Sequence, residues 1–175
     1  MAPITVGIGG AHSGVGKTSL ASLILKRLKG WGAIKYTNTP LYCSIIDDIE
    51  ILSEPGKDTK RLLDAGAEKV LWVQSPSSEL GDVLPRAIEI LSHLKGIMVE
   101  GNGAVEALKP DIVIFVCGTK NEEFKKSAEN LLNMADVVLC DEVPSGIPEV
   151  AKKFRKEDID ECVNFVIDAV RKISV

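Results

Sequence analysis

Short apolar runs alternate along the whole chain with stretches whose apolar residues recur every three or four positions. Ile4 to Gly9 is largely apolar and closes on glycines, which predicts a strand buried on both faces. From Lys17 to Lys29, Leu20, Leu23, Ile24 and Leu28 fall at helical spacing, and Ala33 to Thr37 reads as a short second strand. Asn38 to Lys57 holds Pro40 and Pro55, shows weak periodicity, and is expected to be irregular. Asp58 to Ala65 predicts a short helix and Lys69 to Gln74 a strand. Ser75-Pro76-Ser77 then signals a helix start, with Leu80, Val83, Leu84, Ala87, Ile88 and Leu91 on one face. Pro85 inside that pattern predicts a kink or a late start. Ile97 to Glu100 and Asp111 to Cys117 read as strands, Asn121 to Met134 as a helix, and Asp136 to Cys140 as the last strand. A final helix carries Ile159, Cys162, Val163, Val166, Val170 and Ile173 on one side.

This alternation implies an α/β fold in three layers, a mainly parallel sheet covered by helices on both faces. With no repeat, linker or low-complexity segment, residues 1–175 are expected to form a single domain. In such sheets ligands bind beyond the carboxyl ends of the strands, where the chemistry-bearing residues of this chain cluster.

Composition narrows the classes of partner. A formal net charge of −4 argues against broad electrostatic binding to nucleic acid or anionic membranes, and an aromatic content of 5% against stacking platforms for single strands. No apolar run approaches the length of a membrane span, and the N-terminus lacks a basic leader, so the cytoplasm is the expected compartment. Cys43, Cys117, Cys140 and Cys162 are scattered without a CxxC pair; a disulfide framework is not expected, and Cys117 and Cys140 read as small buried hydrophobes. Zinc or nickel ligation of the usual kind has no sequence support.

Ala11-His12-Ser13-Gly14-Val15-Gly16-Lys17-Thr18 lies between the first strand and the first helix. It matches the relaxed form of G-x-x-x-x-G-K-[ST], with Ala11 in place of the first glycine. Glycines let successive backbone N–H groups turn toward phosphate oxygens, and the following helix aims its N-terminal dipole at the same anion. Ser13, Gly14, Val15, Gly16, Lys17, Thr18 and Ser19 are therefore the candidate nucleotide-binding residues. Lys17 would neutralise the β- and γ-phosphates, and the Thr18 hydroxyl would take one position on Mg2+. A magnesium-binding acid is needed opposite Thr18, and Glu100 ends an apolar strand just before Gly101. That glycine would let the backbone approach the γ-phosphate.

Three segments carry a family resemblance: His12 to Thr18; Ile34-Lys35-Tyr36 with Glu54-Pro55-Gly56-Lys57-Asp58-Thr59 and Leu63-Asp64-Ala65-Gly66-Ala67; and Val99-Glu100-Gly101. Together they resemble MobB, the nucleotide-binding accessory proteins of molybdenum-cofactor biosynthesis. The resemblance covers most of the first hundred residues and rests chiefly on the PGKD run. It implies that Lys17 and Thr18 serve phosphate and metal, that Asp58 and Glu100 are acids near Mg2+, and that Lys35 faces the phosphates or a second substrate as a catalytic lysine. Asp58 reads equally well as the N-cap of its helix. GTP or ATP would be the ligand, with slow hydrolysis, a molybdenum-cofactor biosynthesis protein as partner, and a homodimer as the assembly. Two departures stand out: Tyr36 replaces a histidine of that family, and neither Gly118-Thr119-Lys120-Asn121 nor Cys140-Asp141-Glu142-Val143 matches the NKxD motif of guanine-specific proteins.

The same loop, with Lys35 and Met98-Val99-Glu100-Gly101-Asn102-Gly103, also resembles dethiobiotin synthetase, which would make the chain an ATP-dependent ligase. A further alternative is a non-catalytic module controlled by nucleotide, with Asn38 to Lys57 as its switch segment.

Overall fold

Eight strands join in one sheet in the computed structural model, which describes residues 2–118, 124, 126–142 and 145–174. In chain order the elements are β1 (Ile4–Gly10), α1 (Lys17–Leu25), β2 (Trp31–Asn38), β3 (Ser44–Ile46), α2 (Ile49–Leu52), α3 (Asp58–Asp64), β4 (Val70–Ser75) and α4 (Leu80–Leu91). They continue with β5 (Gly96–Glu100), α5 (Asn102–Leu108), β6 (Ile112–Val116), α6 (Lys126–Asn133), β7 (Val137–Leu139), β8 (Lys152–Phe154) and α7 (Ile159–Ile173). The strand order is β3-β4-β2-β5-β1-β6-β7-β8, and every pair is parallel except β3 with β4.

Strands β1, β5 and β6 are apolar and buried because neighbours flank them and helices cover both faces. Helix α1 packs against α3 and α7, while α5 packs against α4 and α6, so the helices form two layers around the sheet. The α/β architecture with a mainly parallel sheet is as expected. No helix among the described residues is long and apolar enough to cross a membrane.

Local differences from the sequence reading have identifiable causes. Helix α1 stops at Leu25 because the chain tightens into i→i−3 bonds, from Arg27 N–H to the Ile24 carbonyl and Leu28 N–H to the Leu25 carbonyl. The stretch expected to be irregular contains β3 and α2, of three and four residues, too short for either period to register. Thr59 Oγ1 donates to the Leu52 carbonyl at 2.7 Å and ties this stretch to α3. Helix α4 begins at Leu80 after a 3-10 turn at Ser77–Glu79 and runs through Pro85 without interruption. Strand β8 was not foreseen: Lys152 and Lys153 are exposed, as suits the charged edge of a sheet. Helix α5 also went unpredicted, with Ala104 and Val105 its buried residues. Thr119, Lys120 and Asn121, where the helix before the last predicted strand was expected to begin, and Val143 lie outside the described residues.

The reading of Cys117 and Cys140 as unpaired buried thiols is corrected. They follow the adjacent parallel strands β6 and β7, whose register sets Val116 opposite Leu139, and they form a disulfide with Cα atoms 4.9 Å apart. A separation of 23 residues gives no hint of this; the strand pairing creates it. Cys43 is exposed and free, and burial pushes the free Cys162 thiol up to about 12.

Candidate functional site

The turn from β1 into α1 is built around two left-handed glycines, Gly14 at φ 82° and Gly16 at φ 108°. A Cβ at either would meet nothing within 4 Å, so backbone conformation rather than space selects glycine. Gly16 caps α1 without any side-chain hydrogen bond, and no acid stands in the first turn. The leading N–H groups of the helix are thus left without a side-chain cap, as an anion site requires. Ala11 N–H donates to the Val116 carbonyl at 3.0 Å and anchors the loop to β6. Lys17 Nζ folds back across the loop and donates to the His12 carbonyl at 2.8 Å. Burial lowers the Lys17 ammonium below the usual lysine range; Glu100 opposes that shift, Lys35 adds to it, and Asp58 opposes it.

Thr18 is buried, and its hydroxyl lies 2.8 Å from Glu100 Oε1 and 2.9 Å from Oε2. Sheet register explains the meeting. Ile8 of β1 and Lys35 of β2 both stand level with Glu100 of β5, so the loop after β1 and the lysine of β2 converge on one carboxylate. Glu100 is 1% exposed, a charge that only close partners make tolerable at such depth. Lys35 Nζ provides one at 2.6 Å and reaches Asp58 Oδ2 at 2.7 Å.

Asp58 is the first residue of α3, and the N-cap is Lys57. The N-cap reading of Asp58 is therefore corrected, and its carboxylate turns to Lys35 instead. Burial works to lower the Lys35 ammonium, but Glu100 and Asp58 outweigh it and hold Lys35 above the usual lysine range. Burial works to raise the Asp58 carboxyl, but the bond and charge of Lys35, with help from Thr18 and Arg61, hold it below the usual carboxylate range.

The structure thus brings Lys17, Thr18, Lys35, Asp58 and Glu100 together at the carboxyl ends of β1, β2 and β5. Thr18, Asp58 and Glu100 offer hard oxygen donors, which suit Mg2+. Among the described residues no group of three or more His, Cys, Asp or Glu side chains is arranged to hold a metal ion. A protein that contributes two carboxylates and a hydroxyl needs phosphates and water to complete the shell.

Several neighbours escaped the sequence reading. Asn102 Oδ1 accepts from Gly10 N–H and its Nδ2 donates to the Gly10 carbonyl, each at 2.9 Å. The only signal was its place in the Gly101-Asn102-Gly103 run. Gly101, expected to approach a γ-phosphate, donates its N–H to the Ile8 carbonyl at 3.1 Å. Its φ is 131°, and a Cβ there would come 3.0 Å from the Tyr36 carbonyl oxygen. Tyr36, standing where the resembling family has histidine, packs its ring against Gly101 and Gly103 and donates its hydroxyl to the Ser75 carbonyl at 3.0 Å. Arg61 of α3 donates to Ser19 Oγ at 2.7 Å, just past the loop.

No protein-family model matches the sequence, and no curated protein matches it. Among solved structures, the chain is similar to HypB from Helicobacter pylori, crystallised in complex with nickel, at a TM-score of 0.60. The superposition covers 98% of this chain and 88% of that one, at 12% identity. The fold is that of the P-loop NTPases. At this identity the likeness speaks to the fold alone.

Proposed function

We propose that the chain binds a nucleoside triphosphate, GTP or ATP, with Mg2+ and hydrolyses it slowly as a MobB-like accessory protein of molybdenum-cofactor biosynthesis. The observation that carries the nucleotide reading is the contact of the Thr18 hydroxyl with buried Glu100, directly behind an N-terminally open helix and a glycine turn. That pairing of loop hydroxyl and strand-end acid is what a phosphate-bound Mg2+ needs.

In this reading the backbone from Ser13 to Ser19 cradles the phosphates and Lys17 leaves the His12 carbonyl for the β- and γ-oxygens. Thr18, Glu100 and Asp58 hold the metal, which neutralises phosphate charge when bound. Lys35 stands beside the acids, where it can face a terminal phosphate or a second substrate. The molybdenum-cofactor role, the partner protein, the homodimer and the cytoplasmic setting rest on the resemblance of the PGKD run and its companions. The nickel belongs to the HypB structure and is not carried over, since at 12% identity that likeness speaks to the fold alone.

Calorimetric titration with ATP, ADP, GTP and GDP in the presence of Mg2+ tests the reading and reads base preference together. Binding of at least one triphosphate, lost in Lys17→Ala, is the expected result; failure of all four to bind the wild type overturns it.

A further inference from the structure

Lys35 and Glu100 stand level on neighbouring parallel strands, and the Lys35 ammonium is 2.6 Å from Glu100 Oε1 and 2.7 Å from Asp58 Oδ2. Glu100 also accepts from the Thr18 hydroxyl through both its oxygens. One ammonium therefore sits at the focus of the very side chains assigned above to the metal. Lys17 is disposed differently, being turned onto the His12 carbonyl. The two lysines have separate tasks: one waits for phosphate, the other already occupies the carboxylates.

We propose that Lys35 is a tethered cation that keeps divalent metal out of the Asp58–Glu100 pair until nucleotide arrives, so that metal and nucleotide bind as a coupled pair. This deepens the nucleotide reading and rests on it. The physical argument is one of charge. A divalent ion entering alone must either sit beside the ammonium, against like-charge repulsion, or displace it from two carboxylates with no other anion to receive it. Lys35 is only 18% exposed, so water does little to screen the repulsion or to stabilise a displaced ammonium nearby. A triphosphate changes both conditions, since its oxygens complete the metal shell and offer Lys35 a new counter-charge. Coupling of this kind is reciprocal: the metal strengthens nucleotide binding by the factor by which nucleotide strengthens metal binding.

The test needs no turnover. Mn2+ binding is followed by electron paramagnetic resonance without nucleotide, for the wild type, Lys35→Met and Lys35→Arg. Lys35→Met is expected to bind Mn2+ on the order of tenfold tighter than the wild type, from loss of the competing charge, whereas Lys35→Arg stays weak. Lys35→Met binding Mn2+ no tighter than the wild type overturns the proposal. Should Lys35→Met fail to fold, the lysine 15Nζ resonances of the wild type carry the test. The Lys35 signal should stay in place with Mg2+ alone and move when ATP or GTP is added with it. A shift of equal size with Mg2+ alone, or no shift with a nucleotide that calorimetry shows to bind, overturns the proposal. A wild type that binds none of the nucleotides instead overturns the nucleotide reading and with it the coupling, while the Mn2+ titration still decides whether Lys35 keeps metal from the carboxylates.

Discussion

The side-chain amide of Asn102 pairs with the backbone of Gly10 through two hydrogen bonds of 2.9 Å, one accepted and one donated. This joins the segment after β5 to the last residue of β1, where the chain enters the glycine turn before α1. Asn102→Ala leaves the Gly10 N–H and carbonyl without that partner and should cost about 1–2 kcal/mol of stability, since losing one side of a half-buried hydrogen-bonded pair strands the other. Urea unfolding of the two proteins measures it, and a difference under about 0.5 kcal/mol, the level of an ordinary surface substitution, would show that water substitutes for the amide. Asn102→Asp keeps the acceptor, loses the donor and adds a negative charge at the loop entrance. It should weaken nucleotide binding more than the alanine variant does.

Lys17→Ala should weaken Mg-nucleotide binding by on the order of a hundredfold or more, the scale of losing a charged hydrogen bond to phosphate together with its charge. The fold should survive, because the hydrogen bond of Lys17 goes to a loop carbonyl rather than to a strand or helix. Calorimetry alongside circular dichroism separates the two effects; retained affinity would remove Lys17 from the phosphate site.

The Lys35–Asp58 pair makes a prediction about pH. Asp58 is held below the usual carboxylate range, so its contribution to stability is present above that range and disappears only as pH falls through its depressed value. Lys35 is held above the usual lysine range, so its contribution is complete below that range and disappears as pH rises through its raised value. The ion pair should therefore persist unchanged across neutral pH. Carboxyl 13C titration should find Asp58 below an ordinary aspartate in the wild type and shifted upward in Lys35→Met, where burial has lost its chief opponent. An Asp58 that titrates identically in both would dissolve the pairing.

Gly101→Ala places a Cβ 3.0 Å from the Tyr36 carbonyl oxygen at a φ of 131°, which L side chains rarely adopt. A loss of about 1–3 kcal/mol is expected from the strained backbone alone. Tyr36→Phe removes only the hydroxyl bond to Ser75 and should cost about 1 kcal/mol. Thermal unfolding ranks the two; equal effects would mean that the backbone at Gly101 relaxes freely.

Much of this could be read from sequence because it depends on local pattern. The glycine turn, Thr18 and the acid at the end of an apolar run are each marked by their immediate neighbours, and the strand–helix alternation gave the parallel sheet. What escaped depends on register or on very short elements. The Asn102–Gly10 pairing and the Cys117–Cys140 bridge exist because particular strands lie side by side, which spacing along the chain cannot encode. Strand β3 and helix α2 span less than two turns of either periodicity, so Asn38 to Lys57 looked featureless. The run Gly101-Asn102-Gly103, which supported the ligase resemblance, serves here to pack Tyr36 and hold Gly10.

Thr18, Lys35, Asp58 and Glu100 come from four separate stretches of chain, and the strands carrying Lys35 and Glu100 run through the middle of the sheet. Closing the loops between them is an entropic cost shared with the central sheet itself. Fraying at the far edge of the sheet, at β7 and β8, would leave this constellation intact, and scattering Lys35 from Glu100 requires the central strands to part. A ligand seated there would consequently report on, and shift, the global unfolding equilibrium: amide exchange at the centre of the sheet, rather than at its edges, would slow in proportion to the ligand added.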